Sequence, residues 1–143
     1  LHGMTANSFI SVSLDPPTVL LSMRAGRMLD LIRTETRYAI NVLGSEGKAL
    51  SHHFSGRPAL SSPPELAFQN GVPILQEAIA SFVCELGNIV EIQDHSLVIG
   101  SVVHCEHRTG SPLVFFRSEY FDSLDMDEPR AGFIAAGKAA DED

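Results

Sequence analysis

No apolar run in this 143-residue chain approaches the roughly 20 residues that a membrane-spanning helix needs, so none is expected within it. The opening Leu1, His2 and Gly3 form neither a basic n-region nor an apolar h-region, and no signal peptide is visible. Cysteine is scarce: Cys84 and Cys105 stand alone in apolar, strand-like segments, too few for a disulfide scaffold. They read as reduced, buried thiols, which favours the cytoplasm as the compartment. Basic residues are scarce as well. Ten face 18 acids, a net charge of −8, so the basic footprint that a nucleic-acid backbone demands is missing. There is no Gly-rich dinucleotide fingerprint, so any dinucleotide would bind without a Rossmann unit. His104, Cys105, Glu106 and His107 make one metal-like cluster. On a strand, however, alternate residues face opposite ways, and no second Cys/His pair has suitable spacing, so no metal site is expected.

What remains is ordinary for one soluble globular domain: 44% apolar and 20% charged residues. A chain of this length buries about two-thirds of its unfolded surface. The acidity is uneven, since residues 122–143 hold 7 acids against 2 bases and supply −5 of the −8. That end has no periodicity and is expected to be disordered or an arm reaching a partner subunit. Residues 1–121 are the domain proper, acidic only mildly from residue 3 onward. A local cationic pocket is compatible with them.

Hydrophobic spacing predicts the elements. Residues 18–24 (TVLLSMR) follow a double proline and read as a strand buried on both faces. Met28, Leu31 and Ile32 give a short helix over 27–33. Residues 37–43 form a strand with Tyr38, Ile40 and Val42 on one face. Ser45 is the expected N-cap of a second helix reaching Phe54, with Gly56 at its stop. Five prolines and glycines between 57 and 73 predict a long loop, with a turn of helix over 65–68. Residues 81–92 are a strand with Phe82, Cys84, Leu86, Val90 and Ile92 inward, and a bulge at Gly87 and Asn88. Asp94 and His95 form a tight turn, 97–108 returns antiparallel, and 112–120 is a last strand. The fold class is mainly β: a Greek-key antiparallel barrel with two or three short helices.

The stretch GMTANSF at 3–9, followed by ISVSLDPP at 10–17, organises the chain. Read by residue types alone, it is first of all a polar turn leading into a strand. Its small side chains would also let a flat ligand lie against the backbone, where N–H and C=O groups read a polar edge. GMTANSFISVSLDPPTVLLSM resembles the opening signature of the flavin reductase-like family. RYAINVL at 37–43, ALSHHFSG at 49–56, DHSLVIGSV at 94–102 and PLVFFRSEYF at 112–121 follow in the family's order. The resemblance spans residues 3–121.

The family implies a flavin-binding split β-barrel, FMN or FAD as flavin, and NADH or NADPH as hydride donor. It implies flavin along Thr5, Ala6, Asn7 and Ser8, with Ser11 and Ser13 beyond. The phosphate end then falls at Ser22, Met23, Arg24 and Arg27, a loop running into a helix start. Gly26 and Met28 stand where relatives usually carry a Ser or Thr hydroxyl, so backbone and arginine must make those contacts or phosphate affinity falls. Asp94 and His95 resemble the family's nicotinamide-side turn, which makes His95 a positioning residue for the nicotinamide. Phe54 is placed as a wall of the ring site or as plain core, and Arg117 and Tyr120 near the pocket mouth. Relatives carry one or two strands ahead of the GMTANSF stretch, which leaves open that an N-terminal strand is missing. The implied activity is NAD(P)H-dependent flavin reduction by a homodimer, supplying a separate monooxygenase. A non-catalytic flavin carrier or sensor, and a remnant without ligand, are the alternatives.

Overall fold

The computed structural model describes residues 1–57 and 60–121. The predicted tail at 122–143 lies outside them. A five-stranded antiparallel sheet runs in the order β1 (Phe9–Leu14), β2 (Pro17–Arg24), β7 (His95–His107), β6 (Ala80–Ile92), β3 (Arg37–Val42). Two of its neighbour pairs, β2 with β7 and β6 with β3, join strands distant in sequence, the connectivity expected of a Greek-key arrangement. Helix α1 (Arg27–Glu35) packs on one face, and helix α2 (Lys48–Phe54) follows β3.

Strand β2 alternates rather than being buried on both faces. Val19, Leu21 and Met23 are buried, while Thr18, Leu20 and Ser22 are half-buried. The buried set meets Leu29 and Ile32 of α1, Tyr38 of β3, Cys84 of β6 and Val98 of β7 in the main core. Leu29 and Ile32 are thus the buried residues of α1, and Leu31, expected on its apolar face, is half-buried. A second core, Val72, Ile74 and Val83, sits across the sheet, with Ala39 against it. Val83 and Cys84 are adjacent and both fully buried because β6 has a core on each face there.

Several expectations are corrected. Ser45 does not cap α2: its N–H donates to Ser111 O, Gly47 N–H closes a turn on Gly44 O, and the helix starts at Lys48. Gly56 does end it, with φ 85°, as Gly56 and Arg57 N–H groups return to His53 and His52 carbonyls. The predicted loop contains a hairpin in place of a helical turn: β4 (Leu66–Gln69) and β5 (Val72–Leu75). Asn70 and Gly71 turn it, both at positive φ as a two-residue hairpin turn requires. Asn41 Oδ1 accepts from Leu75 N–H and Ser81 Oγ, each at 3.0 Å, which holds this hairpin to the main sheet.

Beyond Gly87 the alternation of β6 inverts. The bulge lets Leu86 face Gly100 and Asn88 face Ile99, so Ile89 packs on the core and Val90 and Ile92 are exposed. The turn after β6 is centred on Gln93 and Asp94, and His95 is the first residue of β7. The last segment folds back on itself as β8 (Val114–Phe116) and β9 (Glu119–Phe121), with Arg117 and Ser118 at positive φ between them.

Candidate functional site

Residues 3–8 are fastened at both ends. Thr5 N–H donates to Phe54 O at 3.2 Å, and Thr5 Oγ1 donates to Ser51 O at 2.6 Å. Gly3 lies so close to the Phe54 ring that a Cβ there would stand 2.7 Å from its edge carbons. Phe54 is therefore a wall for the backbone of this segment. At the other end Ser8 Oγ donates to Ser22 O at 2.9 Å, next to the first ladder pair of the hairpin, Phe9 with Leu21. The hydroxyl protons of Thr5 and Ser8 are thus spent on the protein, and their oxygens remain as acceptors. Between these anchors Ala6 and Asn7 are exposed.

Strands β2 and β7 carry the rest. Ser22 pairs with Leu97, Met23 with Ser96 and Arg24 with His95. Ser22, Arg24 and His95 share one face, while Met23 points into the core at 4% exposure, because side chains alternate along a strand. Met23 can offer a ligand its backbone, not its side chain. Ser13 pairs with Thr18 at the far end of β2, about 17 Å along β1 from Ser8, and Ser11 is exposed beside Val19. The structure does not bring these two serines to the others. Arg27 opens α1, exposed, behind Gly26, and no side chain caps that helix start.

Tyr120 sits on α2: its hydroxyl is 2.6 Å from Ser51 Oγ, and its ring meets His52 edge-on. Arg117 stands at the β8–β9 turn with its guanidinium over Phe116. Ser51, which sequence reasoning passed over, is the link. It is buried, its carbonyl holds Thr5 and its hydroxyl holds Tyr120. Nothing in the residue types around it marks it out.

The turn before β7 concentrates charge. Asp94 Oδ1 accepts from His95 Nδ1 at 2.9 Å, and Asp94 Oδ2 accepts from Arg24 Nη2 at 2.9 Å. These contacts, His95 first and Arg24 second, pull the Asp94 carboxyl down to about 2. A groove of about 300 Å³ opens beside it, between α1 and the turn, lined by Ala25, Leu29, Arg33, Asp94, His95 and Ser96. Residues 5–8 are not part of that groove. A second hollow, about 380 Å³ beside β5, contains none of the predicted site residues. The Asp94 carboxyl, followed by NMR, should titrate near 2 instead of its ordinary 3.8. Its folded value is lowered, so the contribution of its contacts is complete above the ordinary value and is lost as pH falls toward about 2. Arg24→Gln and His95→Ala should each raise the midpoint; no change in either would place the cause elsewhere.

Known proteins share this sequence and this fold. A curated NADH-dependent flavin reductase of Pseudomonas fluorescens, StyB, is 43% identical over 124 residues, covering 84% of this chain and 73% of that protein. The solved styrene monooxygenase flavin reductase of Pseudomonas putida S12 superposes with a TM-score of 0.79 at 44% identity, over 84% of this chain and 79% of that one. The flavin reductase PheA2 gives 0.83 at 36% identity, over 87% and 82%. Their split β-barrel is the fold of this chain. Since the pattern of the flavin reductase like domain also matches residues 1–123, the chain belongs to the flavin reductase-like family.

Proposed function

We infer that this chain is an oxidoreductase that reduces FMN or FAD with hydride from NADH, on the strip formed by residues 5–8 and the paired ends of β2 and β7. The observation that carries the reading is the pairing of Arg24 with His95. It sets the loop entering α1 beside the Asp94 and His95 turn, so the phosphate side of one ligand and the ring of another would meet at one end of the sheet.

The residues fit such ligands. At the helix start, no side chain caps α1, and a Cβ on Gly26 would meet nothing within 4 Å. The free N–H groups there, with Arg27, suit a phosphate. Along residues 5–8 the two hydroxyls have given their protons to protein carbonyls, so the exposed backbone of Ala6 and Asn7 would supply the donors that face the flavin edge. Once bound, the nicotinamide and flavin supply the redox chemistry, hydride moving from C4 of one ring to N5 of the other. The task of His95 is orientation, with no proton transfer required of it. NADH is preferred over NADPH in this reading because StyB is named for NADH.

A flavin-dependent monooxygenase as recipient of reduced flavin follows the styrene monooxygenase reductase. A homodimer is supported by one sheet face, where Ile10, Leu20 and Ile99 lie side by side across β1, β2 and β7, with Ile10 57% exposed. Among the described residues no helix is long and apolar enough to cross a membrane. A cytoplasmic setting agrees with the two free cysteines.

Flavin fluorescence titration tests the phosphate end. Arg27→Glu should weaken FMN by at least about tenfold while riboflavin, which has no phosphate, changes little. Equal losses for both ligands would remove Arg27 from the site.

A further inference from the structure

Helix α2 is bonded both to residues 3–8 and to the β8–β9 hairpin. It is only seven residues long, and no side chain caps its start. So short a helix is marginal by itself, and contacts across the fold decide where it sits. Leu50 and Ser51 are its buried residues. Both lone pairs of the Ser51 carbonyl are in use: Ser55 N–H donates at 3.1 Å along the helix, and Thr5 Oγ1 donates at 2.6 Å. The Ser51 hydroxyl stands 2.6 Å from the Tyr120 hydroxyl, so one donates to the other. Tyr120 is itself held, its ring meeting His52 edge-on and Phe115 at 5.0 Å, with Lys48 Nζ 5.9 Å from its centre. The chain ahead of this hairpin is bonded to the chain ahead of α2. Ser45 N–H donates to Ser111 O at 2.7 Å, and Leu113 N–H to Leu43 O at 2.9 Å.

We propose that Ser51 and Tyr120 are positioning residues for the flavin: their hydrogen bond sets α2 in place, and the Ser51 and Phe54 carbonyls of α2 then hold Thr5 so that the backbone of Ala6 and Asn7 is aimed at the flavin edge. This rests on the placement of the flavin along residues 5–8. Tyr120 acts through Ser51 and makes no ligand contact of its own. Exposed N–H groups recognise a polar edge well only when they are held in place, because a loose backbone must be ordered when the ligand binds. The link is therefore read in flavin affinity and not in the hydride step.

The test uses the whole chain with Tyr120→Phe, which keeps the ring, Ser51→Ala, which keeps the carbonyl, and the double variant. Each single change should raise the flavin Kd about fivefold, the effect of one hydrogen bond, with kcat at saturating flavin little changed. The double variant should also lose about fivefold, because the two hydroxyls serve one bond. Amide hydrogen exchange at Thr5, whose N–H is bonded to Phe54 O, should be faster in all three, while the thermal midpoint falls by no more than about 5 °C. An unchanged Kd in Tyr120→Phe overturns the proposal, as does a raised Kd without faster exchange at Thr5. Losses that multiply to about 25-fold in the double variant also overturn it, since Tyr120 would then meet the ligand independently of Ser51. Should Ser51→Ala not fold, Tyr120→Phe decides by the same two readings. Faster exchange with an unchanged Kd means that the flavin does not lie along residues 5–8, whereas an unchanged Kd with unchanged exchange leaves that placement standing and removes only the link.

Discussion

Replacing Gly100 by alanine is expected to destabilise the protein by about 2–3 kcal/mol, the usual scale of an overpacked core. Gly100 is buried in β7 between Val19 of β2 and Leu86 of β6. A Cβ at this position would overlap the Tyr38 hydroxyl and stand 3.0 Å from Glu85 O and 3.1 Å from Tyr38 Cζ. The carbonyl is fixed in the β6–β7 ladder, and the Tyr38 ring is locked among Cys84, Val98 and the apolar face of α1. Neither can give way cheaply.

Burial, aided by Cys84, holds the Tyr38 phenol far above its ordinary range, so it is neutral, and its oxygen has no hydrogen-bond partner among the described residues. Tyr38→Phe should therefore cost nothing or stabilise slightly, and in the Tyr38→Phe/Gly100→Ala pair it should recover part of the loss, the overlap with the hydroxyl being removed while the close approach to Glu85 O stays. Thermal unfolding reads both, with a fall of roughly 5–10 °C expected for Gly100→Ala alone. An unchanged midpoint would mean that the close approach of Tyr38 to β7 is misplaced.

Ser8→Trp is expected to weaken flavin binding by about a hundredfold or more, equivalent to about 2.7 kcal/mol. Ser8 is the anchor of the exposed stretch, half-buried against Ser22 O, and an indole there would lie over the backbone assigned to the ligand. Ser8→Ala separates volume from hydrogen bonding. It removes only the bond to Ser22 and should leave flavin binding within about threefold. Fluorescence titration of both variants, with circular dichroism to check the fold, makes the comparison. Normal binding by Ser8→Trp would show that the flavin does not lie along residues 5–8.

The elements that carried a clean period were legible in the sequence. The two strands around Asp94 form the hairpin their alternation predicts, whereas the apolar run of β2 hid the two-residue repeat of Val19, Leu21 and Met23. What was missed has local causes. Asn70 and Gly71 are a strong hairpin signal, yet the four prolines around them read as a loop. At Gly87 the bulge was foreseen but not its consequence, since one extra residue reverses which side chains face inward. Arg117 and Ser118 turn the last hairpin without Gly or Asn, so residue types gave no warning.

At the candidate site, the motif names the segments, and the structure adds the direction of each side chain. That Met23 belongs to the core follows from its parity with Val19 and Leu21. That Thr5 and Ser8 turn their hydroxyls to Ser51 and Ser22 follows only from how the segment docks. The Arg24 contact with Asp94, 70 residues apart, needs the register of β2 against β7. Residue spacing alone contains no trace of it.

The most direct test is to mix the purified chain with FMN or FAD and follow the absorbance of NADH and NADPH. The account predicts rapid nicotinamide oxidation that saturates with flavin and is faster with NADH. Flavin binding without oxidation would contradict it and leave a carrier or sensor. Absence of flavin binding would reduce the family relationship to ancestry and fold.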